Sequence, residues 1–121
     1  QRAVRPVSHR FEAGTVAWAQ DPTNEHYNRP VVVLSSELHP FGATDCTVMC
    51  VGLSGDKYTH PTPELHSQHL RGISFSQQPH LYPWALYTIP PHAINDASNS
   101  GELTDAGVKI VKTALVALFE L

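Results

Sequence analysis

The chain has 121 residues, 41% of them hydrophobic, which is enough for one domain that buries about two-thirds of its unfolded surface without metal or disulfide staples. Its formal charge of −3 at pH 7 excludes a generic nucleic-acid binder with a broad basic patch, so any polyanion site has to be local. No apolar run approaches the ~18 residues of a membrane span and no signal-peptide pattern opens the chain, so a soluble, cytoplasmic protein is expected.

Residues 1–10 carry Arg2, Arg5 and Arg10 around Pro6 without periodicity, and are expected to be a flexible basic N-terminal arm or a cloning remnant. Residues 11–121 then form a single domain. A first strand is predicted from Gly14 to Gln20, with Val16 and Trp18 on one face and Thr15, Ala17 and Ala19 on the other. The polar stretch Gln20 to Asn28 is longer than a tight hairpin needs, a property of loops that bind or move. The run Val31-Val-Val-Leu-Ser35 predicts a buried second strand opening at Pro30, which has no N–H to give to a ladder. Arg29 is thereby fixed at the mouth of the sheet, a permanent cation whose planar fork suits a phosphate or a carboxylate; Glu25 or Asp56 could pair with it.

After a connection through Pro40 and Gly42, a third strand is predicted from Asp45 to Leu53, ended by Ser54-Gly55-Asp56. Cys46 and Cys50 lie four residues apart on it, roughly 13 Å in extended chain and beyond the ~7 Å reach of a disulfide, so two buried, reduced thiols are expected. The segment 57–80, with Pro61, Pro63 and Pro79 and with His60, His66, His69 and His80, reads as loop and edge, with a weak strand at 72–75. Tyr82 to Ile89 predicts another strand, 92–95 a helical turn, and 96–101 a loop. Thr104 is an N-cap and Asp105 a first-turn acid for a helix over 105–119, with Val108, Val111, Leu115 and Leu118 as its apolar stripe and Ile110, Ala114 and Ala117 widening it. Gly107 should weaken that helix by up to ~1 kcal/mol. Four or five strands with one terminal helix give a small, mainly β barrel of α+β type.

Gly14-Thr-Val-Ala-Trp18, Arg29-Pro-Val-Val-Val-Leu-Ser35, a strand ending Leu53-Ser54-Gly55, Trp84-Ala-Leu-Tyr-Thr-Ile89 and the segment from Leu103 to Leu115 follow one another as in the MazF/PemK toxins. The chain resembles that family over roughly residues 11–121. The resemblance implies an SH3-like barrel of the MazF/PemK type with a C-terminal helix, and the toxin half of a type II toxin–antitoxin pair. It further implies a homodimer with single-stranded RNA in a groove across the interface, and a cognate antitoxin that blocks the groove. The implied chemistry is metal-independent RNA cleavage by attack of a 2′-hydroxyl through a 2′,3′-cyclic phosphate, with no cofactor.

Such cleavage needs a base for the 2′-hydroxyl, a donor for the leaving 5′-oxygen, and positive or N–H stabilisation of a pentavalent phosphorus. The resemblance places Arg29 on the scissile phosphate and Ser54 where the family has a hydroxyl, commonly threonine, with the Gly55 N–H beside it. His26 and His60 are the candidates for acid and base, and Tyr27, Asn28, Gly55, Lys57 and Tyr87 for holding RNA. Tyr87 stands where some family members carry a second arginine, a departure that bears on activity. Trp18, Phe41, Tyr82 and Trp84 are either core aromatics or base-stacking surfaces. Two rival functions stand beside the nuclease: a catalytically weak or silent member that captures an antitoxin or other partner, and a metal-binding barrel using His66-x-x-His69 with His60 and His80.

Overall fold

The computed structural model describes residues 11–36, 45–53, 62–95 and 99–119. The described residues form six strands and one α-helix: β1 Thr15–Gln20, β2 Asn28–Val33, β3 Cys46–Gly52, β4 Leu70–Arg71, β5 His80–Ile89, β6 Ser100–Leu103 and α1 Asp105–Phe119. The strands make one antiparallel sheet in the order β4-β6-β1-β2-β3-β5. Among the described residues β4 and β5 are not paired with each other, so the sheet is open where the expected barrel would close. Residues 63–65 pair instead with the start of β5: the Leu65 N–H donates to the Pro79 carbonyl at 2.9 Å and the Leu81 N–H to the Pro63 carbonyl at 2.8 Å.

The alternation written in the strands divides the interior in two. Ala17, Ala19, Val31, Val33, Cys46, Val48 and Cys50 face one cluster with Tyr82, Ala85 and Ile89. Val16, Val32, Met49 and Val51 face the other, with Leu65, Leu81, Leu103 and Val111 of the helix. Both faces of the central strands are therefore covered, which explains their near-continuous apolar composition. Cys46 and Cys50 are free and buried, and burial pushes their thiols up to about 11 and about 12.

Several sequence-based expectations need correction. β2 begins at Asn28 rather than Pro30; the ladder with β3 starts only at Val31, so the proline stands just outside it. The weak strand expected at 72–75 is instead Leu70–Arg71. The loop expected to reach residue 101 gives way to β6, which inserts between β1 and β4. Against β5, one step on β3 from Met49 to Cys50 corresponds to four from Leu86 to Tyr82, leaving Pro83, Trp84 and Ala85 as a bulge.

The helix caps as the sequence dictates, with the Gly107 N–H donating to Thr104 Oγ1 at 3.2 Å. Thr104 Oγ1 in turn donates to the Gln68 carbonyl at 2.7 Å, tying the helix start to the turn at 67–69. Val111 and Ala114 are buried and Val108, Ile110 and Leu115 are partly buried, but Leu118 and Ala117, expected on the apolar face, are exposed. Gly107 is buried, and a Cβ there would overlap the carbonyl oxygen of His69. Gly107→Ala is therefore expected to destabilise the fold by about 1–3 kcal/mol, as overpacking does, and not to gain the ~1 kcal/mol that helix propensity alone assigns. Urea unfolding of the two proteins measures the sign.

Candidate functional site

The loop between β1 and β2 is built on one carboxylate. Asp21 Oδ1 accepts from the Thr23 N–H at 2.9 Å and from Thr23 Oγ1 at 2.7 Å, and Oδ2 accepts from the His26 N–H at 2.9 Å. Asn24, at φ 62°, takes the left-handed turn that Asn tolerates. The Asp21 N–H donates to the Tyr27 carbonyl at 3.2 Å and closes the loop's neck.

Arg29 packs beneath this loop. Its Nε donates to Asp21 Oδ1 at 3.0 Å, its Nη1 to the Val51 carbonyl at 3.2 Å, and its Nη2 to Glu25 Oε1 at 3.0 Å. The guanidinium carbon lies 5.7 Å from the centre of the Tyr82 ring. The phenol of Tyr82 fills space that a Cβ at position 52 would occupy, so Gly52 admits the ring that backs the arginine. Arg29 is only 5% exposed and the Asp21 side chain is fully buried, whereas the Glu25 side chain is 40% exposed.

Burial opposes ionisation of Asp21, but hydrogen bonds from Arg29, Thr23 and His26 outweigh it and hold the carboxyl at about 2. Burial likewise disfavours the charged guanidinium, and the hydrogen bond and charge of Asp21 outweigh that too, raising the Arg29 pKa. One cation thus carries two carboxylates, with Asp21 sealed and Glu25 at the surface.

Beside Arg29 opens a cavity of about 280 Å³ lined by Trp18, His26, Asn28, Val51, Leu53, Gln77 and Tyr82 among others. Five sequence-nominated residues, Arg29, His26, Asn28 and the stacking candidates Trp18 and Tyr82, therefore meet at one place. Asn28 Oδ1 accepts from Asn95 Nδ2 at 3.3 Å. Tyr27, 87% exposed, projects from the same loop. Tyr87 does not line the cavity: it pairs with Val48, itself opposite Val33, four residues along β2 from Arg29, or roughly 13 Å. Ser54, Gly55, Lys57 and His60, with Phe41, lie outside the described residues; Leu53, which precedes Ser54 in sequence, lines the cavity.

Sequence reasoning anticipated Glu25 as a partner of Arg29 but missed Asp21, because Asp-Pro-Thr reads as ordinary turn chemistry. It also passed over Gln77, which carries no signal until the fold brings residues 18, 29 and 77 together. Trp84, a candidate stacking surface, is 41% exposed and lies on Tyr82 with ring centres 5.0 Å apart. The rings of His66 and His69 come within 5.7 Å, but His69 Nδ1 accepts the His66 N–H at 2.8 Å. Among the described residues no group of three or more His, Cys, Asp or Glu side chains is placed to hold a metal ion.

Because the folded-state pKa of Asp21 lies below its ordinary 3.8, the stability it contributes is complete above about pH 4 and is lost as pH falls towards 2. The shift corresponds to about 2 kcal/mol. Asp21→Asn is expected to cost on the order of 3 kcal/mol at neutral pH by leaving Arg29 poorly compensated, and to flatten the stability profile in that acid window. Urea midpoints taken from pH 2 to 7 measure both effects.

No protein-family model matches the chain, and no curated protein matches it. Among solved structures it is similar to an endoribonuclease from a mycobacterial species in complex with its cognate antitoxin, with a TM-score of 0.64 and 14% identity over 92% of this chain and 94% of that one. Another solved structure, of an endoribonuclease from a mycobacterial species, matches with a TM-score of 0.59 and 16% identity, over 94% of this chain and 95% of that one. The sheet and its C-terminal helix therefore share the fold of these two structures across nearly the whole chain.

Proposed function

We propose that this chain is the toxin half of a toxin–antitoxin pair, an endoribonuclease that cuts single-stranded RNA without a metal. The observation that carries the proposal is the placement of Arg29, a charged fork on the wall of a cavity with polar and aromatic lining, its Nη2 held by a carboxylate at the surface. Glu25 marks where an anion sits on that guanidinium, and a scissile phosphate would take or share that place. The likeness to an endoribonuclease solved with its cognate antitoxin supports the same reading.

In the reaction, a base removes the 2′-hydroxyl proton, the 2′-oxygen attacks phosphorus, and the 5′-oxygen leaves as it gains a proton. Arg29 stabilises the charge that builds on the phosphoryl oxygens, with the Ser54 hydroxyl and the Gly55 N–H supplying further donors. His26, at the cavity, and His60 serve as acid and base. Tyr27, Asn28 and Lys57 hold the strand near the cut, and Tyr87 contacts it farther along. Two copies of the chain form the RNA groove, and an antitoxin segment occupies it when the toxin is silent.

One observation favours a second reading, a partner-binding module with little activity: Asp21 and Glu25 together already satisfy Arg29. Incubation with a long single-stranded RNA in EDTA separates the two. Discrete fragments ending in 2′,3′-cyclic phosphate are expected from the wild type. Arg29→Lys keeps the buried charge but loses the fork, and is expected to slow cleavage by about 10²-fold or more while leaving circular dichroism unchanged. Intact RNA after prolonged incubation with folded wild-type protein would overturn the nuclease in favour of the binding module.

A further inference from the structure

A second cavity, of about 410 Å³, lies in the segment 65–79, and nothing in the reaction above uses it. Its walls are fixed rather than open loop. Gln78 Nε2 donates to the Leu65 carbonyl at 2.8 Å and to the Pro79 carbonyl at 3.1 Å, and the Leu65 N–H donates to the same Pro79 carbonyl at 2.9 Å. Leu65 is buried and Ile73 and Phe75 half-buried, which makes an apolar floor. Ser74, Ser76 and Gln77 are exposed and make a polar rim.

This cavity adjoins the one at Arg29 through two shared features. Gln77 lines both. Trp18 of the arginine cavity and Phe75 of the second are in ring contact, with centres 6.0 Å apart and planes tilted by 57°. Gln77 makes no hydrogen bond among the described residues, so its amide has a donor and an acceptor to offer a ligand.

An apolar, aromatic floor with an amide and hydroxyls at the rim matches an unpaired nucleobase, whose faces are apolar and whose edge carries donors and acceptors together. A phosphate does not suit it, since no lysine or arginine lines the cavity. The geometry points to the 65–79 cavity as a subsite for the base of a nucleotide adjoining the phosphate at Arg29, read at its edge by Gln77 and stacked on Phe75. This deepens the endoribonuclease reading and rests on it: Arg29 acts on the bond, and the second cavity decides which base stands beside it.

The test maps cleavage of a long single-stranded RNA by the wild type, Gln77→Ala and Phe75→Leu, and measures binding of uncleavable 2′-deoxy oligonucleotides through tryptophan fluorescence, since Trp18 lines the arginine cavity and touches Phe75 of the second. Gln77 is exposed and makes no hydrogen bond among the described residues, so its replacement is expected to spare the fold. The expected result is a change of at least ten-fold in the ratio of cutting at preferred to other bases flanking the cleaved bond, with the fragment chemistry unchanged. Wild-type cleavage with the same base preference in both variants overturns the subsite and leaves the nuclease standing. If wild type cuts nothing yet binds oligonucleotides with a base preference that Gln77→Ala removes, the subsite stands and the nuclease falls. Absence of any oligonucleotide binding or cleavage removes both.

Discussion

The contact between Arg29 and Asp21 organises one end of this molecule. A guanidinium buried between β2 and the preceding loop has to be compensated, and Asp21 does so while also accepting hydrogen bonds from Thr23 and His26. The carboxylate that neutralises the arginine is therefore the one that shapes the loop. Removing either group leaves a buried charge, and removing Asp21 also unties the loop that carries His26 and Asn28 to the cavity. Stability and site geometry at this end cannot be varied independently.

That coupling frames the tension in the functional reading. A cation used on a phosphate is most effective when held rigidly in a dry setting, and Asp21, Tyr82 and the Val51 carbonyl hold Arg29 so. The same compensation lowers the positive potential available to a polyanion, on a chain whose formal charge is already −3. Glu25 reconciles the two in the proposed reading: its half-exposed carboxylate keeps Nη2 satisfied in the absence of ligand, and an incoming phosphate would compete with it for that nitrogen.

Much of the fold was legible in the chain, and the failures share a cause. β1, β2, β3 and α1 carry their own pattern, because each buries enough apolar surface to impose a period of two or 3.6 on its residues. β4 and β6 do not: Leu-Arg and Ser-Gly-Glu-Leu are short, partly exposed and held by neighbouring strands rather than by propensity. Arg29 stood out because a proline follows it. Asp21, Gln77 and the aromatic contact between Trp18 and Phe75 were silent, since their meaning comes from segments that only the sheet brings together. Gly107 was misjudged for a related reason, its cost in the isolated helix being visible and its closeness to His69 not.

The bulge at Pro83, Trp84 and Ala85 carries a consequence for how this fold can vary. On either side of it β5 is aligned by separate ladders, Leu86–Ile89 with Cys46–Met49 and His80–Tyr82 with Cys50–Gly52. Lengthening or trimming the strand between them would not force either ladder to slip, whereas the same change elsewhere in β5 would turn core residues outward. Insertions and deletions in relatives of this chain have a natural place to accumulate there, beside Tyr82 and the arginine it backs, where they would reshape the site's border without unfolding the sheet.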